Sequence, residues 1–513
     1  MPITTNEIMI PKKIFTARVD KDLELDATIP EFSPDVSRIV KVDCTPFTES
    51  VTVQDGKATL KGKAVYDILY ETDYKRRLRC CNFVQEFSQT VSLPKSNAVN
   101  MQAFAETECE RISCKLLSPR RVSVKVGLAT SFDVESEVPT KAVAVTDDKS
   151  AFFRKKTIGF DGKTVKHESV YKFSESLALA QSEKAVGEIV CGRIDIRTPA
   201  LTLSSGRAEI KSVATVHTLC EEENGEGKYF TSVKSFPISI DCSNEAIGEH
   251  KQISARLIPT EYSFAPELDQ YGESRVIKSD FSLVLCLKIN EQFAHTVADD
   301  MFEKSFDSTP VRATVSLPHA HSKTESSFST ESKLPPISPK PESLLDASAR
   351  AFGTTSLAVD GGIKANGSFV VTLLCDTAEG VQSFDYPLPF EKVFSQEIPM
   401  DFTSATAEVT PDEVIATLHS DGSATVRIIA TAKICVYTES ESSFISEVTK
   451  RTARSEECDE PMLVYCFPTE DEDLWSIAKL YRADPESIKA ANPSHFDESG
   501  ALFDRSKPIL VKT

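Results

Sequence analysis

Short runs in which apolar and polar residues alternate dominate all but the C-terminal end of this chain. Val51-Thr52-Val53 and Ala58-Thr59-Leu60 flank Gln54-Asp55-Gly56-Lys57. An Asp-Gly pair between alternating segments predicts a hairpin closed by a type I′ turn, because both central positions must take positive φ. The second strand of that hairpin continues through Ala64-Val65-Tyr66-Asp67-Ile68-Leu69-Tyr70. A basic turn, Lys75-Arg76-Arg77, follows, and Phe83-Val84-Gln85-Glu86-Phe87 returns. Val122-Ser123-Val124-Lys125-Val126, Phe281-Ser282-Leu283-Val284-Leu285 and Ala424-Thr425-Val426-Arg427-Ile428 repeat the same alternation further on. Many short strands separated by turns predict a mostly β fold of tandem β-sandwich-like units. Helical periodicity is scarce here. Pro341-Glu342-Ser343-Leu344-Leu345-Asp346-Ala347 is the one candidate for a short helical turn, with Ser338 as its cap.

The alternation is itself repeated. Ile29-Pro30-Glu31-Phe32-Ser33-Pro34, Ile39-Val40 and Asp55-Gly56 are answered by Leu334-Pro335-Pro336-Ile337-Ser338-Pro339, Leu344-Leu345 and Asp360-Gly361, every landmark displaced by 305. Ile189-Val190 and Ser205-Gly206 answer the same landmarks at an offset of 150, without the prolines. A constant offset across spaced landmarks points to three copies of one module. The expected units are residues 1–150, 151–315 and 316–446. The Ser/Thr/Lys-rich segment 319–332 reads as a mobile approach to the third copy, and the charged stretch 447–461 as a linker.

The period changes after that linker. Leu463-Val464-Tyr465-Cys466-Phe467 reads as a strand. Leu474, Ile477, Ala478 and Tyr481 then share one helical face, with Asp473 placed to cap it. Asp484-Pro485-Glu486 opens a second helix as cap, N1 proline and first-turn acid, and the segment stops near Asn492-Pro493. Pro508-Ile509-Leu510-Val511 closes with a strand, so residues 462–513 predict β-α-α-β. Trp475, beside Leu474, reads as packing for this small core.

Composition narrows the function. The 513 residues carry 58 Lys plus Arg against 77 Asp plus Glu, a net charge of -19. Such a surface repels phosphate backbones and argues against a nucleic-acid partner. The opening Met1-Pro2-Ile3-Thr4-Thr5-Asn6-Glu7 lacks the basic and apolar regions of an export signal. No apolar stretch has the ~18 residues that a transmembrane helix needs. Thirteen scattered cysteines with no Cys-x-x-Cys pair read as reduced thiols of a cytosolic protein. No nucleophile elbow appears, and Gly225-Glu226-Gly227-Lys228 lacks the first spacing and following hydroxyl of a phosphate loop. His319 and His321 have no third ligand nearby, and the acidic run at 470–473 lacks the spacing of a calcium loop. No enzyme chemistry, cofactor or metal is expected.

Two resemblances add to this. The C-terminal pattern, Val464-Tyr465 through Asp473-Leu474-Trp475-Ser476-Ile477-Ala478 to Asp484-Pro485 and Asn492-Pro493, resembles a LysM domain. LysM domains bind N-acetylglucosamine glycans such as peptidoglycan between the loop after the first strand and the loop after the second helix. The resemblance therefore implies glycan- or partner-binding residues Thr469, Glu470, Asp471, Glu472, Asp473, Asn492, Pro493 and Ser494. Here Asp471-Glu472-Asp473 stands where the family carries Gly-Asp-Thr, which changes the loop and makes a protein partner with a basic patch the competing reading. The front, Asp22-Leu23-Glu24-Leu25, Ile29-Pro30 and Ser33-Pro34-Asp35-Val36-Ser37-Arg38-Ile39-Val40, resembles the SPOCS domain of bacterial spore-envelope proteins. The third copy loses Asp35 and Arg38, which become Lys340 and Ser343. The SPOCS resemblance implies a non-enzymatic adaptor in spore coat assembly, on the mother-cell (cytoplasmic) side of the forespore surface. Its implied partner is a coat morphogenetic protein, the basal-layer ATPase. A peptidoglycan-binding protein anchored by its LysM domain is the alternative.

Overall fold

A computed structural model describes residues 3–146, 150–225, 227–248, 252–453, 463–469, 472–497 and 507–512. The fold is mostly β, as the alternation predicts. In the first module, β1 (Thr5–Thr28), β6 (Arg121–Val143) and β5 (Val99–Ser118) form one antiparallel sheet with β6 central. β2 (Val36–Gln54), β3 (Lys57–Thr72) and β4 (Leu78–Ser92) form a second with β3 central. The inward side chains of both sheets make one apolar core around Leu60, Tyr66, Val124 and Phe132.

The second module repeats this. β12 (Gln252–Leu268), β13 (Ser274–Glu303) and β7 (Ala151–Ala178) form one sheet. β8 (Val186–Ile196), β9 (Ala200–Ser204), β10 (Arg207–Glu222) and β11 (Tyr229–Ser243) form the other. In the third, β14 (Phe306–Leu334), β19 (Ala424–Ala453) and β18 (Phe402–Leu418) pair, as do β15 (Pro341–Val359), β16 (Gly362–Thr377) and β17 (Gly380–Ser395). The two offsets read from the sequence are structural. Leu60, Ile210 and Ala365 are fully buried at equivalent points of the three central strands, as are Ala64, Ala214 and Phe369. Of the three hairpins, the first has both turn residues at positive φ, Asp55 at 50° and Gly56 at 68°, the geometry that its Asp-Gly demands.

Three expectations need correction. Residues 319–332 lie within β14, paired to β19 with one register shift at His321. Their exposure alternates from residue 320 onward, because an edge strand with one solvated face needs little apolar content. Residues 341–347 open strand β15, not a helical turn, and Leu345 is buried between modules. Module limits also shift. Residues 306–315 pair with β19 and so open the third module, while residues 447–453 complete it; the rest of the expected linker lies outside the described residues.

The modules close into a ring with approximate threefold symmetry. Val40, Val190 and Leu345, related by the two offsets, meet in one apolar cluster with Leu69, Leu219 and Leu374, related likewise. A second cluster joins Ile10, Phe160 and Val315. Equivalent positions therefore meet on the axis at two levels, and each module touches both others. Among the described residues, no helix is long and apolar enough to cross a membrane.

Candidate functional site

The C-terminal unit runs β20 (Leu463–Cys466), α1 (Leu474–Tyr481), α2 (Pro485–Ala491) and β21 (Ile509–Lys512), with β20 and β21 antiparallel. Asp473 caps α1 by accepting from the Ser476 amide at 2.8 Å, and the Ser476 hydroxyl accepts from the Asp473 amide at 2.8 Å, a reciprocal capping box. Asp484 caps α2 with Pro485 at N1. Ile477, Ala478, Ile488, Ile509 and Val511 form the small core.

This core does not end at the unit's own residues. Phe302 of β13 is part of it, with Phe152 of β7 packed alongside. The Trp475 ring lies 5.2 Å from Phe302, which stacks on Phe152 at 5.0 Å. The indole N–H donates to Asp300 at 2.9 Å, and Lys479 reaches the same carboxylate at 2.7 Å. Burial alone would raise the Asp300 carboxyl, but the bonds from Lys479 and Trp475 outweigh it and hold it below the usual carboxylate range. Arg482, left-handed at the end of α1, donates to the carbonyls of Glu303 and Phe306 at 2.6 and 2.7 Å. Glu303, buried, is clamped by Arg451 of β19 at 2.6 Å. The tail thus sits where the second module passes into the third. Trp475 packs, as its place beside Leu474 predicts, but chiefly against the ring.

This placement sorts the expected binding residues. Glu470 and Asp471 lie outside the described residues. Glu472 accepts from the Thr469 amide at 2.8 Å. Asp473 is occupied by its cap and by Arg154 of β7, 3.5 Å away. Asn492 is buried and turned inward, exchanging two 2.8 Å bonds with the Leu510 backbone, so it joins α2 to β21. Thr469, Pro493 and Ser494 are exposed. Leu463 and Tyr465 of β20 and Phe467 just beyond it also stand exposed, an apolar stripe that sequence reading assigned to the strand without distinguishing its face.

A second cluster lies on the ring axis. Position 41 of the first module is Lys; its equivalents are Cys191 and Asp346. Position 43 is Asp, answered by Arg193 and Ser348, and position 67 is Asp, answered by His217 and Thr372. One set of equivalent sites thus supplies complementary charges. Arg193 pairs with Asp346 across the seam between the second and third modules and donates to the Ala347 carbonyl at 3.0 Å. Burial would raise Asp346, but the charge of Arg193 holds it far below the usual range. Lys41 pairs with Asp43 at 2.7 Å, and Tyr262 donates to Asp67 across the seam between the first and second modules at 3.1 Å. Sequence reading missed this cluster; the signal was available at the offsets themselves, as opposite charges at equivalent positions. Among the described residues no group of His, Cys, Asp and Glu is arranged to hold a metal ion.

The motif residues at the front serve the same ring. Asp35 accepts from Arg120 at 2.6 Å within its module. Arg38 pairs with Glu71 at 2.8 Å and reaches the Val381 carbonyl of the third module at 3.1 Å. Its equivalent in the second module, Glu188, pairs with Arg79 of the first at 3.0 Å. The basic turn is likewise partly engaged, Arg77 facing Glu221 at 3.6 Å. Residues 35–117 match the family model described as SipL, SPOCS domain. That stretch is therefore similar to the SPOCS domain, which suggests a sporulation-related class of protein. Within that class it resembles SipL. No curated protein and no solved structure matches the chain.

Proposed function

We propose that this protein is a non-enzymatic structural adaptor in assembly of the bacterial spore coat, acting on the mother-cell side of the forespore surface. The observation that carries the proposal is the match of residues 35–117 to the SipL SPOCS domain. We read the paired sheets as three SPOCS-like β-sandwich modules and the C-terminal β-α-α-β unit as a LysM domain. The ring offers a rigid platform, and the latched tail presents Thr469, Pro493, Ser494 and the stripe of Leu463, Tyr465 and Phe467 at a fixed place on it. Weak contacts from ring and tail add through their shared chain. The acidic run that follows that stripe in the sequence favours a protein partner with a basic patch, a coat morphogenetic protein of the basal-layer ATPase type.

The test retains the full chain on a support and passes over it, separately, the purified basal-layer coat ATPase and purified peptidoglycan. A variant carrying Glu470→Lys, Asp471→Lys and Glu472→Lys, with the Asp473 cap untouched, is the control. Retention of the ATPase by the native chain, weakened at least tenfold in the variant, is the expected result. Retention of peptidoglycan alone would overturn it in favour of a wall-anchoring protein.

A further inference from the structure

We propose that Cys80 and Cys191 form a disulfide across the seam between the first and second modules, by exchange with a small disulfide. Cys80 lies on β4 opposite Leu69, and Cys191 on β8 opposite Leu219. Leu69 and Leu219 are equivalent residues that meet on the ring axis, and both thiols pack into the same inter-module cluster. The two cysteines also line one half-open cavity of about 250 Å³, walled further by Lys41, Asp67, His217 and Tyr262. That space admits a small molecule and excludes a folded protein. The neighbouring Cys191 thiol, together with burial, pushes the Cys80 thiol well up, and both cysteines are free in this structure. Position 191 is where the other modules carry Lys41 and Asp346, so the sulfur at this place belongs to one module alone.

The exchange balances. One cysteine releases its proton to solvent and attacks a sulfur of the small disulfide, expelling one thiolate and leaving a mixed disulfide. The second cysteine, deprotonated in turn, attacks the protein sulfur of that mixed disulfide and expels the second thiolate. The pair is oxidised by two electrons while the small disulfide is reduced to two thiols. The bridge closes a loop of roughly 110 residues, long enough for a large loss of unfolded-state entropy. It fastens the first module to the second, so the ring would exist in a looser dithiol form and a locked one.

The full chain is incubated without oxygen with 2-hydroxyethyl disulfide, then digested under non-reducing conditions and weighed by mass spectrometry. The expected product is a peptide pair joined through Cys80 and Cys191, with a thermal midpoint raised by several degrees and restored by dithiothreitol. Cys191→Ser should abolish that pair and the shift. A native chain that gains only mixed disulfides at these cysteines, or keeps both open to alkylation throughout, overturns the proposal. This readout needs no variant to fold.

Discussion

At the seam between the second and third modules, Arg193 and Asp346 face each other half-buried, with Asp195 and His217 around them. At the joint between tail and ring, the centre is instead aromatic: Phe152, Phe302 and Trp475, with the Asp300 ion pair at the rim. The first joint gains little net energy from its charges, since desolvating them offsets most of their attraction. It loses much if one partner goes. What charges at equivalent positions add is order, because a module placed at the wrong point of the ring would set like charges together. The second joint is a small core shared between two units, and apolar burial holds it. Specificity sits in one and adhesion in the other.

Arg193→Ala is the sharpest way to break that contrast. It removes the nearest partner of Asp346 and leaves it only His217 at 3.7 Å, and the structure should lose about 1.5–3 kcal/mol, seen as an earlier first transition in urea. Replacing the pair together, Arg193→Met with Asp346→Leu, should recover most of that loss. Should the double variant stay as weak as the single, the pair is itself a source of stability and the contrast fails. At the tail, Trp475→Ala removes the ring from Phe302 and the donor from Asp300. It should weaken docking by about 2–3 kcal/mol and release a C-terminal fragment early in limited proteolysis, with the ring's own transition unmoved. Asp300→Asn keeps an acceptor for the indole and weakens only the Lys479 contact, by about 1 kcal/mol or less. A larger loss from Asp300→Asn than from Trp475→Ala would show that charge, not burial, holds the tail.

The β pairing was legible because strand alternation is a local signal, and constant offsets carry register over long separations. The threefold closure was not, since no local pattern states which faces meet, although the axis residues Val40, Val190 and Leu345 stood at the very offsets used to find the repeat. The segments 319–332 and 341–347 misled for one shared reason. Polar composition and a lone apolar pair outweighed alternation, whereas an edge strand and a bulged strand need only half-burial. In the tail, the capping signals at Asp473 and Asp484 fixed both helices in advance. The inward turn of Asn492 and the surrender of Trp475 to Phe302 depend on partners far away in sequence, which spacing does not encode.

The smallest effect separates the joints by sign. Burial lowers the affinity of His217 for its proton, but the carboxylates of Asp195 and Asp346, 3.2 and 3.7 Å away, outweigh it and the guanidinium of Arg193; the ring is held above its ordinary value. The folded seam therefore binds the proton more tightly than the unfolded chain. Its contribution is complete below about pH 6.5, the ordinary imidazole value, and fades as pH rises through the folded one. Asp300 runs the other way. Its carboxyl is depressed, so the tail joint is at full strength above about pH 4 and weakens in acid as pH falls through the folded value. Alkali should loosen the seam and acid the tail. Urea unfolding should show the ring less stable at pH 8 than at pH 6, and His217→Gln should flatten that slope. Proteolytic release of the tail should quicken between pH 5 and pH 3 in the native chain and far less in Asp300→Asn. If both joints weaken together on one side of neutrality, then charge governs both, and the division between an ordering seam and an adhesive tail is wrong.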